Sequence, residues 1–381
     1  MYKLHFNESI TCNPCLEIDL NKIRHNVKLV NDYCKQFGVD VVGVTKVSNG
    51  SIEIAQAMID GGIKIIGDSR LENLKNYNDL AVKKMLIRLP MLSEIENLVK
   101  YTDISLNSEL KVIRAIAHES QKSNKIHEII LMVEAGDLRE GIYDKEELFN
   151  TIKETSQYRN IKLTGIGANF NCFGSIKPSS DNLGMLVNLK EELKLKLGVE
   201  FDIISGGNTG SIALIQNGKM PKGINQIRVG TTFLFGFIEN TIPRFTNVYT
   251  DAFKLKAEII ELKVKPSKPF GESGVDSFRN KPVFEDKGYR KRAICAIGKQ
   301  DCDSNFMYPV DYRIDIIGSS SDHIILDITD SDINYDIGDT VEFVLDYVAV
   351  LRCMNSKHVR KEYINNWYKF GGLKWVERYY C

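Results

Sequence analysis

The chain has 381 residues, long enough for two domains with cores of their own. Its 43% hydrophobic and 26% charged residues are ordinary for a soluble globular protein, and no apolar run approaches the roughly 20 residues of a membrane span. Lys plus Arg number 50 and Asp plus Glu 50, a balance that gives no support for a nucleic-acid partner.

The N-terminus, Met1 to Ser9, is polar and lacks the apolar core of a signal peptide, so a cytoplasmic protein is expected. The 8 cysteines are scattered along the chain, which argues for free thiols in a reducing compartment. Cys12-Asn13-Pro14-Cys15 has CxxC spacing, but no second pair completes a zinc ribbon, and no metal is expected.

Leu16–Leu20 alternates apolar and acidic residues like a strand, and Asn21–Phe37 follows as a helix that Asn21 is placed to cap. Eight short apolar runs then alternate with amphipathic stretches: 39–46, 63–68, 84–90, 103–107, 128–135, 161–169, 201–205 and 226–231. Helical patterns between them include 52–59, 94–101, 110–121, 145–157 and 183–196. Eight strand–helix alternations predict an α/β fold, a (β/α)8 barrel over residues 21–238. An open doubly wound sheet is the alternative, but no early Gly-rich dinucleotide fingerprint supports it. Beyond about Phe237 the texture changes to strand-like runs at 253–264, 292–297, 312–317, 323–328 and 340–345. A mostly β domain from residues 1–20 and 239–363 is expected. The aromatic segment 364–381 carries both tryptophans, Trp367 and Trp375, and is too apolar for a solvated tail, so it is expected to dock on its own subunit or on a partner.

In a barrel of this kind the chemistry sits at the carboxyl ends of the strands. Lys46 ends the first, Arg139 follows the fifth and Asn169 ends the sixth. Ser205-Gly206-Gly207-Asn208-Thr209 ends the seventh and Arg228-Val229-Gly230-Thr231-Thr232 the eighth. Glycines let backbone N–H groups approach an anion and a Ser or Thr hydroxyl adds a donor, so the last two loops read as a phosphate site. A lysine at a strand end is equally a side chain reaching solvent, and a lone Gly-Gly-Asn is more often a plain turn. Two anion-ready loops beside the lysine form a more specific constellation. An amine there condenses with an aldehyde, the way pyridoxal phosphate is held.

Leu16-Glu17-Ile18-Asp19-Leu20, Val44-Thr45-Lys46, Gly67-Asp68-Ser69-Arg70-Leu71-Glu72-Asn73, Gly136-Asp137-Leu138-Arg139-Glu140-Gly141, Ser205-Gly206-Gly207-Asn208 and Ser320-Ser321-Asp322-His323 together resemble the fold-type III pyridoxal-phosphate enzymes. Within that group the chain is similar to the alanine racemases, in particular the alanine/ornithine racemase branch, from about Cys15 to Tyr363. The resemblance implies a cofactor, pyridoxal 5'-phosphate, and a Schiff-base role for Lys46. It gives Thr209, Gly230, Thr231 and Tyr347 to the phosphate, with Ser205, Gly207 and Asn208 in the same cofactor loop. Arg228 matches the arginine against the pyridine nitrogen. Arg139 matches an arginine near the phenolic oxygen and the substrate carboxylate, and Asn169 takes the place of a ring-side histidine.

One departure matters. The opposite-face tyrosine of alanine racemases falls in Ala296-Ile297-Gly298-Lys299-Gln300-Asp301, where Lys299 replaces it. Racemization by two bases needs a proton-transferring group on each face. Lys299, Cys302 and His323 all remain candidates. The resemblance further implies a head-to-tail homodimer with shared active sites. Asp301, Asp303, Ser321 and Asp322 then become candidates to meet a cationic amino-acid side chain, although each of these carboxylates also reads as an ordinary turn residue. The expected activity is racemization of a small amino acid: ornithine first, then lysine or alanine. A decarboxylase of the same fold and a non-catalytic cofactor carrier are the alternatives. Decarboxylases of this type place a glutamate where Arg228 stands, and the carriers lack the β domain.

Overall fold

The computed structural model describes residues 14–237, 245–272, 274–275, 279, 281 and 283–365. Two compact units emerge, Asp19–Ala252 and a β unit joining 14–18 to Phe253–Ile364. Of the segment 364–381 expected to dock, residues 366–381 lie outside the described residues, as do Cys12 and Cys381. No described helix is long and apolar enough to cross a membrane.

The chain opens on β1 (Cys15–Asp19) and a helix over Leu20–Gln36. The helix cap differs from expectation. Asp19 rather than Asn21 is the N-cap, its carboxylate accepting from the Asn21 and Lys22 amides at 2.9 and 3.1 Å. The strand therefore ends one residue earlier, and the acidic residue satisfies the helix's first orphan donors.

Eight strands follow: β2 (Asp40–Val44), β3 (Ile65–Asp68), β4 (Lys83–Leu86), β5 (Ile104–Asn107), β6 (His127–Met132), β7 (Ile161–Ala168), β8 (Ile203–Asn208) and β9 (Gln226–Val229). All pair in parallel, and β9 returns to β2 to close the barrel. Parallel strands need crossover helices, and the short apolar runs joined by amphipathic stretches supply them. Val42, Met85, Ile104, Leu106, Ile130 and Met132 fill the interior, with Ile65, Ile87, Leu89 and Ile203 packed around them. This is the layered core of a (β/α)8 barrel, and it leaves the carboxyl-end loops to carry polar groups.

One buried titratable group gives the barrel a pH signature. His127 on β6 is 1% exposed and its Nε2 lies 2.9 Å from the Ser105 hydroxyl on β5. Burial, with Lys125 nearby, pushes its pKa down to about 4. The unfolded imidazole titrates near 6.5, so between these values the unfolded chain binds the extra proton and stability is lost as the pH falls. We expect a loss of about 2 kcal/mol between about pH 7.5 and about pH 5, present in wild type and absent in His127→Gln. Urea unfolding midpoints across that range test it, and parallel pH profiles for the two proteins would rule it out.

In the β unit, β10 (Phe253–Pro266) is a long strand shared between ladders. Its first part pairs β1 and β15 (Thr340–Leu345), its second part β11 (Tyr289–Cys295), with a bulge between Ile259 and Glu261. β14 (Ile324–Asp327) pairs β11 and β13 (Asp315–Ser319), β12 (Met307–Pro309) pairs β15, and β16 (Arg360–Ile364) pairs β1. A helix over Tyr347–Asn355, capped by Asp346, interrupts the strand pattern.

Candidate active site

At the barrel mouth, β8, β9 and β2 are neighbours, so the loops after them adjoin. β2 ends at Val44, and Lys46 begins a single turn over Lys46–Ser48 with its side chain exposed. Thr45 fixes that exit. Its amide donates to Gly67 O at 3.0 Å, its hydroxyl donates to Asp68 Oδ2 at 2.8 Å, and its carbonyl accepts from the Ser48 hydroxyl at 2.7 Å. Asp68 is wholly buried and its Oδ1 accepts from the Arg70 amide and Asn73 Nδ2. Burial raises its pKa while the bond from Thr45 works the other way. These residues of the Gly67–Asn73 motif hold Thr45, and through it Lys46, with charge-assisted bonds.

Arg228 on β9 is 5% exposed. Nη1 donates to the Ser205 hydroxyl at 2.6 Å and Nη2 to Ala168 O at 2.8 Å. Burial lowers its pKa to about 10, with Glu140 opposing and Arg139 adding to the shift, and it stays cationic at neutral pH. Ser205 thus serves Arg228, a role the sequence reading did not assign. The Thr209 hydroxyl accepts from the Gly230 amide at 3.4 Å, tying the two glycine loops together. Asn208 bends its loop, accepting from the Gly210 amide at 3.1 Å and donating to Phe170 O at 2.5 Å. Gly207 has φ +90°, and a Cβ there would stand 2.8 Å from the Phe170 ring and 2.9 Å from Ser211 Oγ. Thr231 starts the short helix Thr231–Phe235 directly after Gly230.

Arg139 and Asn169 follow β6 and β7, the next strands round the barrel. Arg139 pairs with Glu140 and donates from Nη1 to Cys172 Sγ at 2.8 Å. With the Asn169 amide turned so that its oxygen faces donors, it accepts from Arg139 Nη2 at 3.2 Å. The structure therefore lines Lys46, Arg228, Ser205–Thr209, Gly230, Thr231, Arg139 and Asn169 along five consecutive strand ends.

The remaining candidates belong to the β unit. Lys299 and Gln300 donate their amides to Ser320 O and Ser321 O at 2.9 and 3.2 Å, so the turns 298–303 and 319–323 adjoin. Ser321, Asp322 and His323 are exposed on the second turn, with Asp322 accepting from the side-chain Nε2 of Gln300. His323 is tied to Ser320 through its backbone amide and Nδ1. Asp301 is buried and accepts from the Ser356 hydroxyl at 2.6 Å, while Asp303 pairs with Arg352 at 3.3 Å. Cys302 is 2% exposed, its thiol against Cys353, whose own pKa is raised by the bond to Cys302 and by burial. Tyr347 is the first residue of the helix that Asp346 caps.

A family profile for the alanine racemase N-terminal domain matches residues 18–237. An ornithine racemase from Acetoanaerobium sticklandii is 43% identical over 349 residues, covering 92% of this chain and 99% of its own. The chain belongs to the alanine racemase family. A lysine racemase from Thermotoga maritima is 38% identical over 355 residues, covering 92% of this chain and 98% of its own. A solved alanine racemase from Clostridium difficile 630 shares the fold, with a TM-score of 0.72 at 19% identity over 94% of this chain and 97% of that one. The family member is an amino-acid racemase, and neither the decarboxylase nor the carrier alternative is favoured.

The residues of this racemase fit the phosphorylated pyridine aldehyde that the family implies. An exposed primary amine, a buried guanidinium, and hydroxyl and backbone N–H donors occupy adjoining strand ends. At Gly230 a Cβ would come within 3.0 Å of Val44 O, so a glycine lets this loop pack against the end of β2, the strand that leads to Lys46.

Proposed function

We propose that the racemase interconverts the enantiomers of a basic amino acid, ornithine before lysine, with pyridoxal 5'-phosphate held by Lys46. The observation that carries this reading is the placement of Lys46 on a strand end adjoining those of buried Arg228 and the Thr209–Gly230 loop pair. Thr209, Gly230 and Thr231, with Gly207 and Asn208, would hold the phosphate end, while Ser205 steadies Arg228. Arg228 would meet the ring nitrogen. When bound, the cofactor acidifies the α-proton of the amino acid. Lys46 then carries that proton on one face, and Arg139 holds the substrate carboxylate.

The opposite face needs a second proton carrier, which we assign to Lys299 supplied by a second copy in a head-to-tail homodimer. Its half-buried side chain leaves an ordered turn, whereas Cys302 is packed inside the β unit. Asp303 already pairs with Arg352, and Asp301 is buried with Ser356. Asp322, exposed and bonded to a neutral amide, is the carboxylate we place against the side-chain ammonium of ornithine. The relatives that act on ornithine and lysine support this substrate class.

Incubating L-ornithine, L-lysine and L-alanine in D2O, and following α-proton exchange with optical inversion, tests the reading. Ornithine and lysine are expected to exchange and invert at least about 10-fold faster than alanine, the scale of discrimination one well-placed polar contact gives. Carbon dioxide release without inversion would reject racemization, and full activity in Lys299→Ala would remove Lys299.

A further inference from the structure

We propose that Asp137 is a positioning residue that sets Arg139 by pinning the loop after β7. Asp137 lies in the Gly136–Gly141 motif two residues before Arg139, and its side chain is 2% exposed. Its carboxylate accepts three backbone N–H groups of the next loop: Cys172 at 3.3 Å and Ile176 at 3.1 Å on Oδ1, and Phe173 at 3.1 Å on Oδ2. Its carbonyl accepts a fourth, from Gly174 at 3.0 Å, and a Cβ on Gly174 would stand 2.7 Å from that oxygen. One residue thus takes four of the six amides of the 171–176 turn, three of them with bonds strengthened by its charge.

The turn has one closing bond of its own, from the Asn171 amide to Ile176 O at 2.8 Å. Asn171 and Ser175 both sit in the left-handed region, at φ 54° and 53°. On the Asp137 side Leu138 also has φ 54° while 68% exposed, so packing does not hold it there. Glu134 Oε1 does, accepting from the Gly136 amide at 2.6 Å and the Leu138 amide at 3.0 Å. Strained backbone of this kind persists only where surrounding bonds over-determine it.

Arg139 connects this construction to the reaction. Apart from its chain neighbour Glu140, its hydrogen-bond partners are Cys172 Sγ and the Asn169 amide oxygen, and the Asp137 carboxylate adds its charge nearby. Both flank or belong to the loop that Asp137 pins. Releasing the loop removes the fixed side of the guanidinium's cradle and leaves Arg139 held by Glu140 alone. This inference rests on the proposal that Arg139 holds the substrate carboxylate.

The test compares cofactor-loaded wild type with Asp137→Ala, Asp137→Asn and Arg139→Ala. Asp137→Asn fills the same volume and keeps one acceptor, so it carries the test if the alanine variant does not fold. In the Asp137 variants we expect limited proteolysis within 169–178 to speed up at least about 10-fold, KM to rise about 10- to 100-fold and kcat to change less than about 3-fold, with asparagine milder than alanine. Unchanged proteolysis, or faster proteolysis with unchanged KM, overturns the positioning role. Arg139→Ala separates the two claims. If its KM is unchanged, the carboxylate reading fails, whereas a raised KM there beside an unchanged KM in the Asp137 variants sinks only the positioning role.

Discussion

Lys46→Ala is expected to yield a folded, colourless protein whose racemization is at least about 1,000-fold slower than wild type. The side chain is exposed and its turn is held by neighbours: Thr45 on Gly67 and Asp68, Ser48 on the Thr45 carbonyl, and buried Val47. Removing the amine breaks none of these bonds, so the turn and the barrel around it should stay folded. The loss is then chemical rather than structural. An absorption spectrum before and after dialysis reports cofactor retention, and thermal unfolding reports the fold. Racemization within a few-fold of wild type would remove Lys46 from the reaction altogether.

Arg228→Glu is the second large effect, with an added signature in which products form. The native guanidinium forks between the Ser205 hydroxyl and the Ala168 carbonyl at 2.6 and 2.8 Å. Arginine is too weak an acid to give up a proton to a ring nitrogen, which keeps the cofactor a poor electron sink. A carboxylic acid at the same place can share its proton with the ring. Racemization is expected to fall at least about 100-fold, while the fraction of substrate diverted to keto acid rises. The Ala168 carbonyl also loses its donor, at about 1–3 kcal/mol in stability. Chiral chromatography together with a keto-acid assay separates the outcomes. An unaltered product ratio with unaltered racemization places Arg228 outside the chemistry. Arg228→Lys, which can reach only one of the two acceptors, should lie between the extremes.

Much of this architecture was legible because its determinants are local and periodic. Short β-branched runs between amphipathic stretches mark all eight barrel strands, and the observed bounds fall within a few residues of those expected. What stayed hidden depends on groups distant in sequence. The choice of Asp19 over Asn21 as helix cap turns on one residue of backbone geometry where β1 ends, and either side chain is chemically competent. Ser205 reads as a phosphate hydroxyl until Arg228 is seen to donate to it from the adjacent strand. The tie from Asp68 to Thr45 joins two strands through a buried carboxylate, and no spacing in one dimension announces it. Asp137 stands in a recognisable motif, but its partners lie more than thirty residues on, in a loop with no pattern of its own. Site residues that act by reaching solvent could be named from strand ends, whereas those that act by holding others needed the fold.

The pairing of β1 with β10 bears on how the protein is made. Cys15 partners Lys256 and Ile18 partners Phe253, and the whole barrel is strung between those two partners. On the ribosome the first strand emerges with its edge unsatisfied and has no mate until the barrel has been synthesised. Apart from the closing pair of β2 and β9, the barrel's strand contacts join successive strands and can form as the chain lengthens, while the β unit must wait for its far end. Throughout that interval Cys15, Leu16 and Ile18, each at most 1% exposed in the finished protein, are an apolar edge available to other chains. Protection from aggregation during translation, more than the durability of the completed enzyme, is therefore what this inserted-barrel layout demands of the cell.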